Sequence, residues 1–392
     1  MRKMGRELAV SIYLFVFSVF FTFFKWYPQK KKSTFVASFG DNILFTVKEL
    51  EKRTDEQIVI LKTSQCHMNF EEHVHHPILH FELRFPLQWL RSIYHLATST
   101  TVIIDNYYGF LAASDFKSNV RCIQLWHAAG AIKQFGLKDR TIQERSPRAL
   151  KRFKKVYDRF HYVVVGSNKM ASIFRESFGL PDERIVRSGI PRTDFFFDAD
   201  EMSRVKQSLQ ETYPMSKEKK VILYAPTYRD NEFTVSSLKL NIQDMYEALR
   251  EEYVLLLRLH PAVNMNVMNE YPNFVYDVSN YDDSNHLLVI TDILVTDYSS
   301  IPFEFSLLHK PMVFFAYDLE EYERQRGLWK SYESLVPGPV VKQTDELIEV
   351  ILENNFDLKK VVEFAKEWNE FSTGNASQRF VDTFYTSVEH DE

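Results

Sequence analysis

"TDYSSIPFEF", residues 296–305, closes the apolar run "DILV" and turns through two adjacent serines into a helical pattern. "DILVT" has the length and apolar content of a buried strand, and the polar residues after it end the strand in a turn. Pro302 suits the first turn of a helix, where its missing N–H costs nothing, and Ser299 or Ser300 is placed to cap that helix. A strand that leaves through a polar turn straight into a helix is one step of a βα series. The rest of the chain repeats that step.

Working outward, "KKVILYAPT", "EEYVLLLRLH", "NFVYDV" and "PMVFFAYD" are further short apolar runs, separated by helical stretches such as "IQDMYEALREE" and "SNHLLVITD". An earlier series has the same form. "STFVASFG", "QIVILKT", "TTVIIDN", "VRCIQLWHA", "YVVVGS" and "RIVRSGIPRTD" read as strands with their exits, and "PLQWLRSIYHLAT" and "ALKRFKKVYDRF" as helices. Alternation of strand and helix predicts parallel sheets covered by helices on both faces. The polar, charged stretch from Asp198 to Lys220 separates the two series. The expected architecture is α/β, with two Rossmann-like domains facing a cleft. The expected boundaries are 1–28 for an N-terminal attachment helix, 29–200 for the first domain and 201–392 for the second.

Composition agrees with two domains: 392 residues, 45% of them hydrophobic, can bury two cores. A formal net charge of −5 gives no global attraction to nucleic acid, so none is expected as a partner. Cys66 and Cys122 alone make neither a disulfide framework nor a zinc site. Leu8–Phe24 is apolar apart from a few hydroxyls, with Arg2, Lys3 and Arg6 before it and Lys25, Lys30, Lys31 and Lys32 after it. No small-residue cleavage site follows, and the run is short of the roughly 20 apolar residues of a spanning helix. A helix lying in the membrane interface fits better, with Phe15, Phe20 and Phe24 inserted and Trp26, Lys30, Lys31 and Lys32 among the headgroups. The competing reading is an ordinary core helix.

In doubly wound sheets, ligands sit beyond the carboxyl ends of the strands. That edge holds Asp105-Asn106, His127, Ser167, Arg192-Thr193-Asp194, Pro226-Thr227, Arg258 to His260 and Ser299-Ser300. His127 is the natural group to take a proton from an attacking hydroxyl. Arg258 and His260 alternate onto one side of a strand end, where a planar fork and a hydrogen-bond donor suit phosphate oxygens. Free amides at the helix start after Ser299 and Ser300 suit the same ligand. Each has a plainer reading: a structural histidine, a surface arginine, a simple helix cap. "HVHHP" (His73, His75, His76) lacks a carboxylate or cysteine at ligand spacing, and neither a metal nor a cofactor is expected. The chain has no GxGxxG, P-loop, HExxH or GxSxG pattern.

These pieces together resemble the CDP-glycerol glycerophosphotransferase family of the wall teichoic acid type. The resemblance rests on Trp126-His127-Ala128, "YAPTYR" at 224–229, "RLHP" at 258–261, "TDYSS" at 296–300, "KPMVFFAYDLEEY" at 310–322 and Arg326-Gly327, in order and spacing. It covers about residues 100–375. Within the family, "CIQLWHAAGAIKQFGLKD" and "LKRFKKVYDRF" are more similar to primases than to polymerases. Ala128 stands in place of the family's common Gly, and Glu304 in place of its usual Asp.

The resemblance implies a GT-B-like fold and a transferase that moves glycerol phosphate from CDP-glycerol to an undecaprenyl-diphosphate-linked disaccharide at the cytoplasmic membrane surface. His127 and His260 would be catalytic. Ala128, Gly130, Lys133, Arg192, Pro226, Thr227, Arg258, Leu259, Ser299, Ser300 and Glu304 would line the donor site. Rival readings are a glycerol- or ribitol-phosphate polymerase, a nucleotide-sugar glycosyltransferase and a silent nucleotide-binding scaffold.

Overall fold

The computed structural model describes residues 2–227, 238–259 and 270–386. The chain divides into two compact units. Unit 1 comprises Met1–His127, Phe135–Asp194 and Phe371–Glu392, and unit 2 comprises Ala128–Gln134 and Phe195–Glu370.

Unit 1 begins with α1 (Arg2–Phe24), β1 (Lys30–Ala37), α2 (Asp41–Arg53), β2 (Gln57–Lys62) and β3 (Ile78–His80). It continues through α3 (Pro86–Thr98), β4 (Ser99–Ile104), β5 (Arg121–Gln124), α4 (Pro147–Asp158), β6 (Tyr162–Val164), α5 (Asn168–Phe178) and β7 (Ile185–Val186). Its seven strands run parallel in the order β3-β2-β1-β4-β5-β6-β7.

Unit 2 opens with α6 (Ala199–Thr212), β8 (Lys220–Ala225), α7 (Ile242–Leu249), β9 (Tyr253–Leu257), β10 (Val275–Asp277), α8 (Ser284–Ile290) and β11 (Ile293–Thr296). Then come α9 (Ile301–Phe305), β12 (Met312–Phe315), α10 (Leu319–Arg326), α11 (Tyr332–Leu335), β13 (Val340–Val341), α12 (Thr344–Glu353) and α13 (Leu358–Trp368). Its parallel sheet has the order β10-β9-β8-β11-β12-β13. Strands buried on both faces explain the unbroken apolar runs: all five residues of β9 and all four of β11 and β12 are buried. In each sheet the first strand lies between the strand that follows it (β2, β9) and a later one (β4, β11). The order therefore reverses at β1/β4 and at β8/β11, the positions where doubly wound sheets bind ligands.

The expected boundary near residue 200 differs from the structure at the C-terminus. α14 (Ala376–Val381) returns to unit 1, where Phe380, Val381 and Phe384 join the core that packs Ile43, Val47 and Ile58. The amides of Ala376 and Ser377 donate to the Asp194 carboxylate (2.8 Å each), which fixes the start of that helix. Asp198 to Lys220 is likewise no loose linker, since Asp198 caps α6 by accepting the Glu201 amide.

The amino-terminal helix is part of unit 1, and this revises the expectation of a separate segment. Phe17 and Phe21 are fully buried, with Phe17 beside Trp89 of α3 (6.3 Å between rings) and Phe110 (5.5 Å). Phe20 and Phe24 are half-buried, against Trp89 (6.1 Å) and Tyr94 (5.6 Å), so they do not point outward as expected. The opposite face is exposed along Leu8, Ile12, Phe15, Val19, Phe23 and Trp26, a spacing of three and four residues.

Lys32 is not a headgroup ligand. β1 starts at Lys30, and the strand carries Lys32 inward to complete burial. There its Nζ donates to Thr98 Oγ1 (2.7 Å) and lies 3.2 Å from His95 Nδ1. Burial, helped by the charge of Lys30, lowers its pKa to about 8. Lys31 is exposed but pairs with Asp55 (2.8 Å), and Lys30 is exposed.

Candidate active site

In unit 1, three strand exits at the switch point meet around His127. β1 leaves through Ser38-Phe39-Gly40, β4 through Asp105, and β5 through Leu125-Trp126-His127. The Asp105 carboxylate is buried and accepts the amides of Ser38 (2.9 Å), Phe39 (2.9 Å) and Gly40 (2.9 Å), together with the Tyr108 hydroxyl (2.7 Å). Burial raises its pKa, and the Tyr108 hydroxyl and the three amides oppose that rise. Gly40 has φ 102°, a left-handed backbone that only glycine takes without strain, and a Cβ there would lie 2.6 Å from Met68 Cβ.

His127 Nδ1 lies 3.0 Å from the main-chain carbonyl of Asp105. A carbonyl can only accept, so Nδ1 is the donor, which in the neutral imidazole puts the lone pair on Nε2. The Phe39 ring stacks on the imidazole at 3.9 Å and 11°, and Trp126 lies against it at 4.3 Å and 28°. Trp126 has φ 60°, unusual for a bulky residue. Two side chains hold it there. Gln124 Oε1 accepts its amide (2.8 Å), and Asn42 Nδ2 donates to its carbonyl (2.9 Å). Asn42 Oδ1 also accepts the Arg192 amide (3.0 Å), and the Arg192 guanidinium lies 3.6 Å from Asp41. Left-handed backbone on such a residue costs on the order of 1–3 kcal/mol and tends to be kept at functional positions.

The residues after His127 belong to unit 2. The Ala129 amide donates to Glu304 Oε1 (3.2 Å), and Lys133 bridges Leu328 of the segment after α10. Lys133 Nζ lies 3.4 Å from the Tyr322 hydroxyl. Gly130 rests on the Phe303 ring, where a Cβ would stand 2.4 Å from a ring carbon. Glycine is needed there for close approach. Glu304 is buried and is engaged by the backbone beside the histidine.

At the switch of unit 2, Thr227 follows β8 and its amide donates to Asp297 Oδ1 (2.8 Å), just beyond β11. The Asp297 carbonyl accepts the Tyr332 hydroxyl (2.8 Å), and Tyr298 stacks on Tyr322 at 3.7 Å while donating to Asp318 (3.0 Å). Thr-Asp-Tyr is thus the structural half of the opening motif. Ser299 Oγ accepts the Ile301 amide (3.3 Å) and so caps α9 as expected.

The anion site expected from that helix start is not offered. α9 has five residues, Pro302 has no N–H, the Ile301 amide goes to Ser299, and the Phe303 amide goes to the Ser300 carbonyl (3.2 Å). What the turn presents is the two serine side chains, both half-buried. Arg258 is half-buried after β9, its Nη1 donating to the Tyr281 carbonyl (2.6 Å), and the Leu259 amide donates to Ser279 Oγ (2.9 Å). Pro226 is half-buried beside Thr227, and Ala128 is buried. His260 lies outside the described residues, as do Tyr228 and Arg229 of "YAPTYR". His76 Nε2 lies 2.7 Å from Glu51, an ordinary structural pairing.

The structure therefore gathers His127 and Arg192 in unit 1. It gathers Ala128, Gly130 and Lys133 on one segment of unit 2 packed against Glu304 of α9, and Thr227, Arg258, Ser299 and Ser300 at strand ends of that unit. Phe39, Asn42 and Asp297 were not singled out from the sequence. Their one readable signal was position, since each falls directly after a strand or at the first turn that follows.

A family model described as CDP-Glycerol:Poly(glycerophosphate) glycerophosphotransferase matches residues 20–386. The teichoic acid glycerol-phosphate primase of Bacillus subtilis (strain 168) is 36% identical over 378 residues, 96% of this chain and 97% of that protein. The teichoic acid poly(ribitol-phosphate) polymerase of Bacillus spizizenii (strain ATCC 23059 / NRRL B-14472 / W23) is 37% identical over 294 residues, 74% of this chain and 47% of that protein. Among solved structures, the wall teichoic acid polymerase TagF superposes with a TM-score of 0.79 at 25% identity, covering 98% of this chain and 96% of that one. Its likeness makes the pair of parallel-sheet units GT-B-like. On the span of the family model and the identity to the primase, the chain belongs to the CDP-glycerol:poly(glycerophosphate) glycerophosphotransferase family and is a transferase.

Proposed function

We propose that this protein is a teichoic acid primase, which transfers one glycerol phosphate from CDP-glycerol to an undecaprenyl-diphosphate-linked N-acetylmannosaminyl-N-acetylglucosamine and releases CMP. The observation that carries the reading is the alignment with the glycerol-phosphate primase, which extends over 97% of that protein, whereas the ribitol-phosphate polymerase is matched over 47% of its length. In the step itself, the acceptor hydroxyl oxygen attacks the phosphorus that bears glycerol. The bond from that phosphorus to the bridging oxygen breaks, and CMP leaves with the oxygen. His127 Nε2 takes the hydroxyl proton. Arg258 and the hydroxyls of Ser299 and Ser300 meet the diphosphate charge as it shifts toward CMP, with His260 in the same role. Unit 1 is the unit that carries the base. Its switch-point amides, where a nucleotide's phosphates would otherwise sit, are already filled by Asp105, which supports a donor site in unit 2.

A lipid-linked acceptor requires the enzyme at the cytoplasmic face of the membrane. Two neighbouring elements of unit 1 suit that. α1 presents its exposed apolar stripe, and α4 presents Arg148, Lys151, Lys154 and Lys155 to solvent, tied to α1 by Arg152 and Glu7 (2.8 Å). The lysines expected after α1 are thus replaced in this reading by those of α4.

A second reading, a polyol-phosphate polymerase, is favoured by the 37% identity over the shared region. Mass analysis of the product from CDP-glycerol and a short-chain analogue of the lipid disaccharide separates the two. A single added glycerol phosphate supports the primase. A ladder of additions overturns it, and no reaction with CDP-glycerol but reaction with CDP-ribitol overturns the donor.

A further inference from the structure

The reading of His127 as proton acceptor leaves open what makes its imidazole a base of one defined orientation. We propose that Asp105 is the positioning residue for His127, acting through two groups at once. Its main-chain carbonyl fixes the imidazole tautomer, and its carboxylate fixes the turn that presses Phe39 on the ring.

Each half of this stands on geometry. The carbonyl lies 3.0 Å from Nδ1, which as the donor leaves Nε2 to receive the proton. The carboxylate gathers three consecutive amides, Ser38, Phe39 and Gly40, and the Tyr108 hydroxyl. Three consecutive amides converging on one carboxylate define the path of the turn. Phe39 sits at its centre, and its ring lies almost parallel to the imidazole at 3.9 Å.

The Phe39 side chain is 44% exposed, so apolar burial alone does not hold it in place. The anchored backbone beneath it does. Tyr108, whose hydroxyl also lies 3.1 Å from the Val36 carbonyl, ties the same carboxylate back to β1. The arrangement has a chemical use beyond orientation. When Nε2 takes the proton the imidazole becomes a cation, and an aromatic face at this distance stabilises a cation.

Asp105 does not touch the reacting atoms in this account, so its loss should spare donor binding and change the histidine. The test uses the full-length protein with 15N-labelled histidine, the His127 signal being assigned by its absence from His127→Gln. In the unaltered protein the imidazole 15N shifts should show protonation at Nδ1. Asp105→Asn removes one acceptor oxygen from a cluster of four donors. It should leave Nδ1 protonated, since the main-chain carbonyl remains, and lower kcat by roughly 10- to 100-fold, a part of the general-base contribution, as the turn under Phe39 loosens. The KM for CDP-glycerol should stay within about threefold, because its ligands lie in unit 2.

Phe39→Leu leaves the carboxylate cluster whole and removes only the stack, so it reads the same effect if Asp105→Asn fails to fold. It should lower kcat while leaving the Nδ1 tautomer in place. Wild-type kcat in both variants overturns the proposal. So does an unaltered protein whose imidazole is protonated at Nε2 instead of Nδ1. Failure of the underlying reading looks different: His127→Ala would then keep its turnover whatever the tautomer shows.

Discussion

A histidine accepts a proton only through the nitrogen that carries none, and at His127 the Asp105 carbonyl decides which nitrogen that is. Replacing His127 with Ala should cut turnover by at least ~100-fold while CDP-glycerol still binds, which initial-rate kinetics and calorimetry together check. Unchanged turnover would end its assignment as base. The same scale holds a lesson about Lys32, which sequence placed at the membrane because it stands in a cluster of lysines after the apolar run Leu8–Phe24. Burial holds its pKa at about 8 against an ordinary 10.5. Below about pH 8 the lysine is charged in both the folded and unfolded states, and the full cost of burying that charge is present. From 8 to 10.5 the unfolded chain binds more protons, so stability climbs with pH. Lys32→Met should therefore be the more stable protein at pH 7, by an amount on the order of 3 kcal/mol at about 1.4 kcal/mol per pKa unit. The gap should close as pH rises through that window. Denaturant midpoints of the two proteins at pH 7 and 10 measure it, and a gap independent of pH would mean that Lys32 stays charged in the folded protein across that range, its pKa not lowered.

At the scale of elements, most of the fold was legible. Parallel strands buried on both faces must be apolar along their whole length, and helices must be amphipathic, so period alone finds them. α3 was delimited to the residue by Pro86 and Thr98. β3 and β13 escaped because three and two residues carry no period. The left-handed Trp126 was illegible for another reason, since its conformation is imposed by Gln124 and Asn42 and nothing in tryptophan announces it. Gly130 shows how a residue singled out for one role can be held to its identity by another. Expected as a donor contact, it lies against the fully buried Phe303, which is itself stacked on Phe364 (5.2 Å) and beside Trp368 (4.6 Å). Gly130→Ala should lower the stability of unit 2 by about 1–3 kcal/mol, the usual cost of overpacking. Phe303→Leu added to it should recover part of the loss, a coupling that thermal melts of the two single variants and the double variant would reveal. Additive losses would place the clash elsewhere.

At the scale of the whole molecule, sequence order misassigned the ends. Which unit the last residues join depends on what they pack against, and Phe380 and Phe384 chose the core under α2. The amino-terminal helix was read as either membrane or core; one of its faces is core, and the other is an exposed apolar stripe. Phe17 and Phe21 cover α3, each buried Phe contributing about 1.5–3 kcal/mol, so deleting 1–28 would uncover Trp89 and Phe110 and test stability and attachment together. Substitution on the outer face separates them. Phe15, Val19 and Phe23 are 68%, 51% and 49% exposed, so changing all three to Ser should leave the melting temperature nearly unchanged. The same protein should co-sediment poorly with phosphatidylglycerol vesicles and act slowly on membrane-embedded acceptor, yet keep its rate on a water-soluble analogue. Changing Lys151, Lys154 and Lys155 of α4 to Gln should give a milder defect, at roughly 1 kcal/mol per charge near an anionic surface. That defect should grow smaller as salt is raised, because screening already removes the lysine contribution from the unaltered protein. If the serine variant binds vesicles as well as the parent, the exposed stripe of α1 serves some other partner, and attachment to the membrane must be sought elsewhere on unit 1.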